Sequence, residues 1–308
     1  MKLQQLRYLC EVANQGLNLS KAAESLHTSQ PGISKQISLL ESELGVDIFV
    51  RNGKRVVKIT PPGQAIVEIA ERMLRDAKNL KQVGQEFTNE ASGSLTIATT
   101  HTQARYALPP AIKRFTVRYP KVRLILRQGS PTQIAELVTS GEADIAIATE
   151  AIELFQELVM LPCYQWNRCI ITPPRHPLLK LEKLTLEAIV QYPIITYDFA
   201  FTGRTKINQA FEAKGLTPNV MLTAIDADVI KTYVELGLGI GILAQMAFDP
   251  KRDKHLRAID ASHLFEPSTT RIGITRNSYL RGYVYDFIGM FAPHLNRAVI
   301  TTAMEGHS

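Results

Sequence analysis

The sequence predicts an α/β protein with an all-α unit at its N-terminus, joined by one long helix to a larger part built from two lobes. Three patterns point there. Between Asn18 and Leu44 apolar residues recur at helical spacing in two short stretches separated by a turn, and from Gln64 to Phe87 the helical period runs on with Gly84 as the sole glycine or proline. From Ser94 onward short apolar runs alternate with helical segments, as in an α/β sheet.

In the first stretch Leu19, Ala22, Ala23 and Leu26 fall at i, i+3, i+4 and i+7 and form one apolar face, with Asn18 or Ser20 placed to cap its start. In the second, Ser29 is an N-cap, and Pro31 sits in the first turn, where its missing N–H is harmless; Ile33, Ile37, Leu40 and Leu44 form the buried stripe. Its other face carries Gln30, Ser34, Lys35 and Gln36, which suit base edges and phosphates at the helix end that a helix-turn-helix places in the major groove. Taken alone, the two helices describe an ordinary helical hairpin equally well. The next segment separates the readings. Phe49 to Thr60 holds two short β-prone pieces around Asn52-Gly53, a dipeptide that favours a tight hairpin. Arg51, Lys54, Arg55 and Lys58 make it basic, with no acid among them, as suits a wing along a phosphate backbone. Residues 1–60 are therefore expected to be a winged helix-turn-helix, with Ser29, Gln30, Pro31, Ser34, Lys35, Gln36, Arg51, Lys54 and Arg55 as its DNA contacts.

Thr60-Pro-Pro-Gly opens the long helix, the core of a linker over residues 61–92. Ile66, Ile69, Met73, Leu80, Val83 and Phe87 occupy a and d positions of a heptad, with Asp76 breaking the seam. Two such helices can pair, and a paired reader contacts two half-sites about one helical turn apart; the alternative is a single amphipathic helix packed on its own domain. Asn89-Glu-Ala-Ser-Gly93 reads as a hinge.

In the remainder, Leu95–Ala98, Val122–Leu126, Ala143–Ala148, Cys169–Thr172, Ile194–Tyr197, Val220–Thr223 and Ile240–Leu243 are strand candidates, and Tyr106–Val117, Thr132–Ser140, Thr205–Ala213 and Ala227–Leu236 are helices. The alternation argues for parallel sheets, and a break near Pro162 to Trp166 divides residues 93–308 into one lobe of 93–163 with 267–295 and another of 164–266. A cleft outside the C-terminal strand ends is where such folds bind ligands. Polar clusters stand at those ends: Thr99-Thr-His-Thr-Gln103, Gln128-Gly-Ser-Pro-Thr-Gln133, Thr149 and Phe201-Thr-Gly-Arg204. A single Thr at a helix start is commonly a plain N-cap. Several together, mostly neutral hydrogen-bonding groups, suit a small anion or zwitterion that must bind and leave.

Composition narrows the classes. With 308 residues the chain is too long for one core, and 45% hydrophobic with 21% charged residues describes an ordinary soluble protein. No run reaches the roughly 18 apolar residues of a membrane helix, and Met1-Lys-Leu-Gln-Gln has no signal-peptide core, so the expected location is the cytoplasm. Cys10, Cys163 and Cys169 lack a CxxC pair and read as reduced, buried side chains with no metal site. The net charge of +6 permits nucleic-acid binding. The seven His are scattered outside any catalytic pattern, and Gly237-Leu-Gly-Ile-Gly241 follows a helix and reads as a helix-ending turn. An enzyme or solute-binding protein on the same two-lobe fold would need neither reader nor wing, so no catalytic residue and no cofactor are expected.

The chain resembles the LysR-type transcriptional regulators from residue 1 to about 295. The N-terminal resemblance rests on Ala22-Ala23, Ser29-Gln-Pro-Gly-Ile-Ser34, Leu40-Glu41, Glu43-Leu-Gly45, Phe49, Arg51 and Thr60-Pro-Pro-Gly63, with Pro62 where Ala is usual. Within the family it is most similar to the sulfur-assimilation subgroups CysB and Cbl, nearer to CysB, through Ile97–Leu108, Gln128–Ala135, Ile147-Ala-Thr-Glu150, Met160–Tyr164, Phe201–Arg204 and Asp226–Tyr233. The resemblance implies a periplasmic-binding-protein-like effector domain and a homotetramer, a dimer of dimers, that binds promoters of cysteine-biosynthesis genes, works with RNA polymerase and responds to an effector. For CysB the effector is N-acetylserine or O-acetylserine, with sulfate an alternative occupant. A Cbl-like regulator would answer to adenosine phosphosulfate and act on sulfonate and sulfate-starvation genes. The implied contacts are Thr100, Thr102, Gln103, Thr149 and Thr202, with Trp166 at the lobe junction; the Gln128–Gln133 cluster, read from the residues themselves, offers Ser130 or Thr132 beside them.

Overall fold

The computed structural model describes residues 1–53, 55–86, 92–149, 155, 157–198, 204–276 and 278–306. The chain divides into two compact units, Met1–Thr88 and Asn89–Ser308. No helix among the described residues is long and apolar enough to cross a membrane.

The first unit comprises α1 (Leu3–Asn14), α2 (Leu19–Ser25), α3 (Gln30–Leu44), β1 (Phe49–Asn52), β2 (Arg55–Ile59) and the long α4 (Pro61–Glu86). Cap chemistry sets the helix starts. Asn18 Oδ1 accepts from the Ser20 and Lys21 N–H groups at 3.0 and 3.1 Å, Ser29 Oγ from Gly32 at 3.3 Å, and Thr60 Oγ1 from Gly63 at 3.0 Å. Gly45, left-handed at φ 70°, ends α3. Leu6, Leu9, Val12, Ala22, Ile33, Ile37, Leu40, Ile48 and Val67 share one core. Leu44, expected in the buried stripe, is 41% exposed, because it is the last residue of α3 and the core beneath the stripe closes at Leu40. β1 and β2 pair antiparallel, Asn52 opposite Arg55, across Gly53 at φ 61°.

The long helix packs on this unit, chiefly against α1. Val67 and Ala70 are buried against the first three helices, whereas the heptad positions Ile69 and Leu80 are 47% and 75% exposed. Phe87 and most of the expected hinge, Asn89-Glu-Ala91, lie outside the described residues.

The second unit contains two five-stranded sheets. The first has the order β4-β3-β5-β12-β6, from β3 (Gly93–Thr99), β4 (Val122–Gln128), β5 (Ile145–Thr149), β6 (Leu158–Trp166) and β12 (Ser268–Thr275). The second has the order β11-β7-β10-β8-β9, from β7 (Arg168–Thr172), β8 (Ile194–Tyr197), β9 (Val220–Ala224), β10 (Ile240–Ala244) and β11 (Arg257–Asp260). Helices α5 (Pro109–Arg118), α6 (Pro131–Thr139), α10 (Gly282–Phe291) and α11 (Arg297–Glu305) pack on the first sheet, and α7 (Leu186–Ile189), α8 (Arg204–Glu212) and α9 (Ala227–Glu235) on the second. Ile97, Phe115, Ile147, Ile272 and Phe287 centre the first lobe, with the Phe115 and Phe287 rings edge to face at 5.5 Å. Ile300 of α11 is buried in the same core, so that lobe extends past the expected boundary at 295.

Both sheets are mixed, where parallel strands were expected. β3 runs parallel to β4 and β5, but β12 is antiparallel to β5 and β6; β8 runs parallel to β9 and β10, but β7 is antiparallel to β10 and β11. The reversal follows from the crossings between lobes. β12 enters the first sheet at the edge where β5 ends, Thr270 pairing with Thr149, so it must run the other way. Nor does Pro162 break the chain. β6 is an edge strand with a register slip opposite Thr270/Arg271, which tolerates a residue without an N–H. Tyr164 and Trp166 therefore stay in the first sheet and the crossing falls at Asn167, not at 163/164.

Two other local expectations shift. The segment read as a helix from Tyr106 starts earlier, at His101, passes through a π-helical turn at Gln103–Ala107 and restarts at Pro109, a favoured first position. Gly237 at φ 77° does end α9, but Gly241 lies inside β10, where a Cβ would sit 2.4 Å from Ile171 Cγ1.

Candidate functional site

On the first unit the residues expected to read DNA lie mostly on the N-terminal half of α3. Gln30, Pro31 and Lys35 are exposed, Ser34 and Gln36 are half-buried, and Ser29 is exposed with its Oγ committed to the cap. Arg55 is exposed on β2, and Lys54 lies outside the described residues. Arg51 departs from the expected phosphate contact: Nη1 donates to Ser34 Oγ at 3.1 Å and Nη2 to Glu41 Oε2 at 3.3 Å.

On the second unit the polar clusters meet at one edge of the first sheet. β3, β4 and β5 are parallel, so Thr99, Gln128 and Thr149 end on the same side, and Gly129 N–H bonds to Thr99 O at 3.3 Å. The register across β5, β12 and β6 puts Thr149, Thr270 and Tyr164 in one row, with Trp166 opposite Ser268 two residues further along. Buried here are Thr100 Oγ1, Thr149 Oγ1 and Trp166 Nε1, none with a hydrogen-bond partner among the described residues. Their residues are 3%, 0% and 7% exposed. A buried hydroxyl or indole N–H without a partner is unfavourable by about 1–3 kcal/mol.

The other expected contacts play different parts. Thr102 is buried, and its hydroxyl bonds to Tyr197 of the other lobe. Tyr197 is buried, which pushes its phenol up to about 12 against the opposing bonds from the Ala244 N–H and Thr102. Gln103 is spent within the protein: Nε2 donates to Thr270 Oγ1 at 3.0 Å and Oε1 accepts from Tyr164 Oη. Ser130 caps α6, its Oγ accepting from Gln133 N–H at 3.3 Å while Gln133 Oε1 accepts from Ser130 N–H at 2.9 Å. Thr202 lies outside the described residues.

Several residues were not singled out from the sequence. Tyr164 and Thr270 sit on antiparallel strands with no motif of their own. Arg204, 3% exposed at the start of α8, brings a buried guanidinium; burial pulls its pKa down, against the nearby Asp198. A charged latch joins the lobes. Tyr106 Oη donates to Asp228 Oδ1 at 2.7 Å and accepts from Lys231 Nζ at 3.0 Å; Arg105 pairs with Asp228 at 3.2 Å, and Lys231 with Asp253 at 3.2 Å. Both ends fall in segments already noted, Ile97–Leu108 and Asp226–Tyr233, but nothing in the sequence says that they meet. His101, Asp226 and Asp228 bring potential metal ligands within 4.8 Å of one another, yet Asp226 caps α9 at Val229 N–H and Asp228 is committed to the latch. At the crossings, buried Arg168 donates to Glu266 O at 2.8 Å and Ser268 Oγ at 2.6 Å, and its guanidinium carbon lies 5.1 Å from the Trp166 ring centre.

Two family models match, the bacterial regulatory helix-turn-helix protein of the lysR family over residues 3–64 and the LysR substrate binding domain over residues 88–296. The chain belongs to the LysR family. It is thus a LysR-type DNA-binding transcriptional regulator, with a reader of the LysR type and an effector domain of periplasmic-binding-protein-like form. Its homologues are regulators, and the LysR models indicate no enzymatic domain. Among LysR relatives it is 57% identical over 300 residues to the transcriptional regulator SsuR of Burkholderia cenocepacia, covering 97% of each chain. It is 53% identical over 308 residues to CysB of the same organism, covering 100% of this chain and 98% of that one. The crystal structure of the Cbl cofactor-binding domain superposes with a TM-score of 0.69 at 44% identity, covering 71% of this chain and 96% of that one. SsuR was not anticipated from the motifs, whereas CysB and Cbl were.

Proposed function

We propose that this LysR regulator controls genes of cysteine biosynthesis and sulfur assimilation, and that an acetylserine effector, N- or O-linked, activates it by binding between the lobes. The observation carrying this is the trio Thr100 Oγ1, Thr149 Oγ1 and Trp166 Nε1, buried at one strand edge without partners among the described residues. Hydroxyl and indole donors match a small carboxylate, and sulfate fits the same donors. Thr102 contributes from its bond to Tyr197; Gln103 and Ser130 shape the wall, and Thr202 completes the set. Gln30, Pro31, Lys35 and Arg55, with Ser29, Ser34, Gln36 and Lys54, make the promoter contacts. The working assembly is a dimer of dimers in the cytoplasm, paired through Ile69 and Leu80 of α4 and acting with RNA polymerase. Residues 1–60 read DNA, 61–92 link and pair, and 93–308 bind the effector.

The names of the relatives support the sulfur assignment, since CysB and Cbl both match across the chain. The second reading, a Cbl-like response to adenosine phosphosulfate, is favoured by the structural match to the Cbl cofactor-binding domain. Calorimetric titration of the full chain with N-acetylserine, O-acetylserine, sulfate and adenosine phosphosulfate separates the two. Saturable binding of an acetylserine that shifts the footprint on a cysteine-gene promoter supports the first reading. Binding of the nucleotide sulfate alone supports the second, and heat from none of the four overturns both.

A further inference from the structure

Glu41 and Arg51 hold the wing and the reading helix as one piece. Glu41 Oε1 accepts from the Ile48 and Phe49 N–H groups at 3.0 and 3.1 Å, tying the start of β1 to the fourth turn of α3. Its other oxygen, Oε2, accepts from Arg51 Nη2 at 3.3 Å, and Arg51 Nη1 donates to Ser34 Oγ at 3.1 Å. The ion pair is shielded: the Glu41 side chain is 10% exposed and that of Arg51 25%. One fork of a rigid guanidinium is thus spent on a carboxylate and the other on a reading-face hydroxyl, a geometry that an ammonium cannot reproduce.

A serine hydroxyl has one O–H to donate and an oxygen that accepts. With Arg51 donating to that oxygen, Ser34 is left facing outward as a donor. We infer that Arg51 is a positioning residue for DNA recognition, anchored by Glu41, which fixes Ser34 as a hydrogen-bond donor toward acceptor atoms on the DNA and does not itself neutralise a phosphate. In the major groove the partners for such a donor are guanine N7 and O6, adenine N7 and thymine O4; with one of the hydroxyl's two lone pairs taken by Arg51, these acceptors are favoured over the amino groups of cytosine and adenine.

This rests on α3 being the helix that enters the groove, and the experiment keeps the two ideas apart. The full-length protein is used to enrich a duplex from a random pool. Binding of that duplex and of a random-sequence duplex of equal length is then measured for wild type, Lys35→Ala, Arg51→Lys, Glu41→Gln and Ser34→Ala, each from 50 to 200 mM salt. Thermal unfolding confirms that each variant is folded. For Arg51→Lys the expected result is a loss of about tenfold on the enriched duplex, the discrimination that one bidentate pair supplies, with a several-fold smaller loss on the random duplex and an unchanged salt slope. Glu41→Gln, which keeps an acceptor for the two backbone N–H groups, shows the same selective loss, and Ser34→Ala in the Arg51→Lys background adds little. A phosphate-binding Arg51 gives the opposite pattern: Lys rescues it, and its removal by Arg51→Gln lowers the salt slope by about 0.9 for each phosphate no longer neutralised and weakens both duplexes alike. That pattern overturns the inference. If Lys35→Ala leaves the enriched duplex unaffected, the assignment of the reading helix itself fails.

Discussion

Replacing Thr149 by Val should raise the stability of the protein and weaken its effector binding, and the opposite signs are what mark the residue as a ligand contact. Thr149 ends β5, the middle strand of its sheet, and is fully buried. Its backbone pairs with Thr270, but its Oγ1 has no partner among the described residues. Val has nearly the same shape and favours strands, so the change removes a desolvated hydroxyl and breaks no internal hydrogen bond. An unpaired buried hydroxyl is unfavourable by about 1–3 kcal/mol; taking the lower figure, the unfolding midpoint of the effector domain rises by about 2–4 °C. A hydrogen bond to a charged group is worth about 1.5–3 kcal/mol, so affinity for an anionic effector falls by about 10- to 150-fold.

The neighbouring Thr99 supplies the control. It is equally buried, but its Oγ1 donates to Ile147 O at 2.8 Å. Thr99→Val should therefore lower stability by about 1 kcal/mol and leave the affinity in place. Differential scanning calorimetry of the effector-free proteins and titration with N-acetylserine, O-acetylserine and sulfate measure both quantities. A Thr149→Val protein that melts earlier than wild type, or binds its effector as tightly, would refute the reasoning.

Three further outcomes follow from the geometry. Burial pushes the Asp228 carboxyl up, but the bonds from Tyr106 and Lys231 outweigh it and hold the pKa below the ordinary carboxylate value. A depressed folded pKa means stability that is present above the unfolded value and lost as pH falls through the folded one. The latch should therefore weaken below about pH 4, and a Tyr106→Phe protein, without two of the latch bonds, should show a shallower loss in an acid unfolding series; equal slopes would count against the latch. Burial raises the thiols of Cys10, Cys163 and Cys169 to about 12. Iodoacetamide at pH 8 should leave all three unlabelled in the native protein and modify them in denaturant, and rapid native labelling of any one contradicts that burial. Leu80→Arg places a charge on the exposed stripe of α4 and should lower the mass found by sedimentation equilibrium without lowering the unfolding midpoint; an unchanged mass removes α4 as the pairing surface.

What could be read in the sequence was local, and what could not was the meeting of distant segments. Caps such as Asn18, Ser29 and Thr60 and the turn at Asn52-Gly53 obey short-range chemistry, and each stands where its residues predict. The burial of Thr100 and Thr149 at strand ends has the same local origin, because a polar residue closing an apolar strand is visible without knowing the partner strand. The side-chain partners of Gln103 and Arg51 were not legible, because they are set by the fold and not by local pattern. Gln103 is taken by Thr270, 167 residues away, and Arg51 by Glu41 on α3, 10 residues back. The mixed sheets and the crossing at Asn167 were hidden likewise, since strand direction depends on where the chain re-enters a lobe, and no local period records that.

The short helix between Thr100 and Ala107 joins these observations into one mechanical unit. Thr100, with its partnerless hydroxyl, stands just ahead of it, and it carries the Thr102 bond to Tyr197 of the other lobe, the Gln103 bond to Thr270, and the Arg105 and Tyr106 ends of the latch. Its π-helical turn is a less stable winding than the α form, of the kind that recurs at functional positions. An effector touching Thr100 therefore acts on the same short segment that holds the other lobe through Tyr197, Asp228 and Lys231. A shift there moves the lobe angle with few intervening groups in which the signal could dissipate. At the crossings, Arg168 ties Glu266 and Ser268 together and lies against Trp166, so the pivot is stiff where the pocket helix is not. Because Trp166 is the chain's single tryptophan, the protein's tryptophan fluorescence comes from that one position. An effector that closes the lobes must alter Trp166 emission in the wild type, and do so less when Tyr106→Phe has loosened the latch.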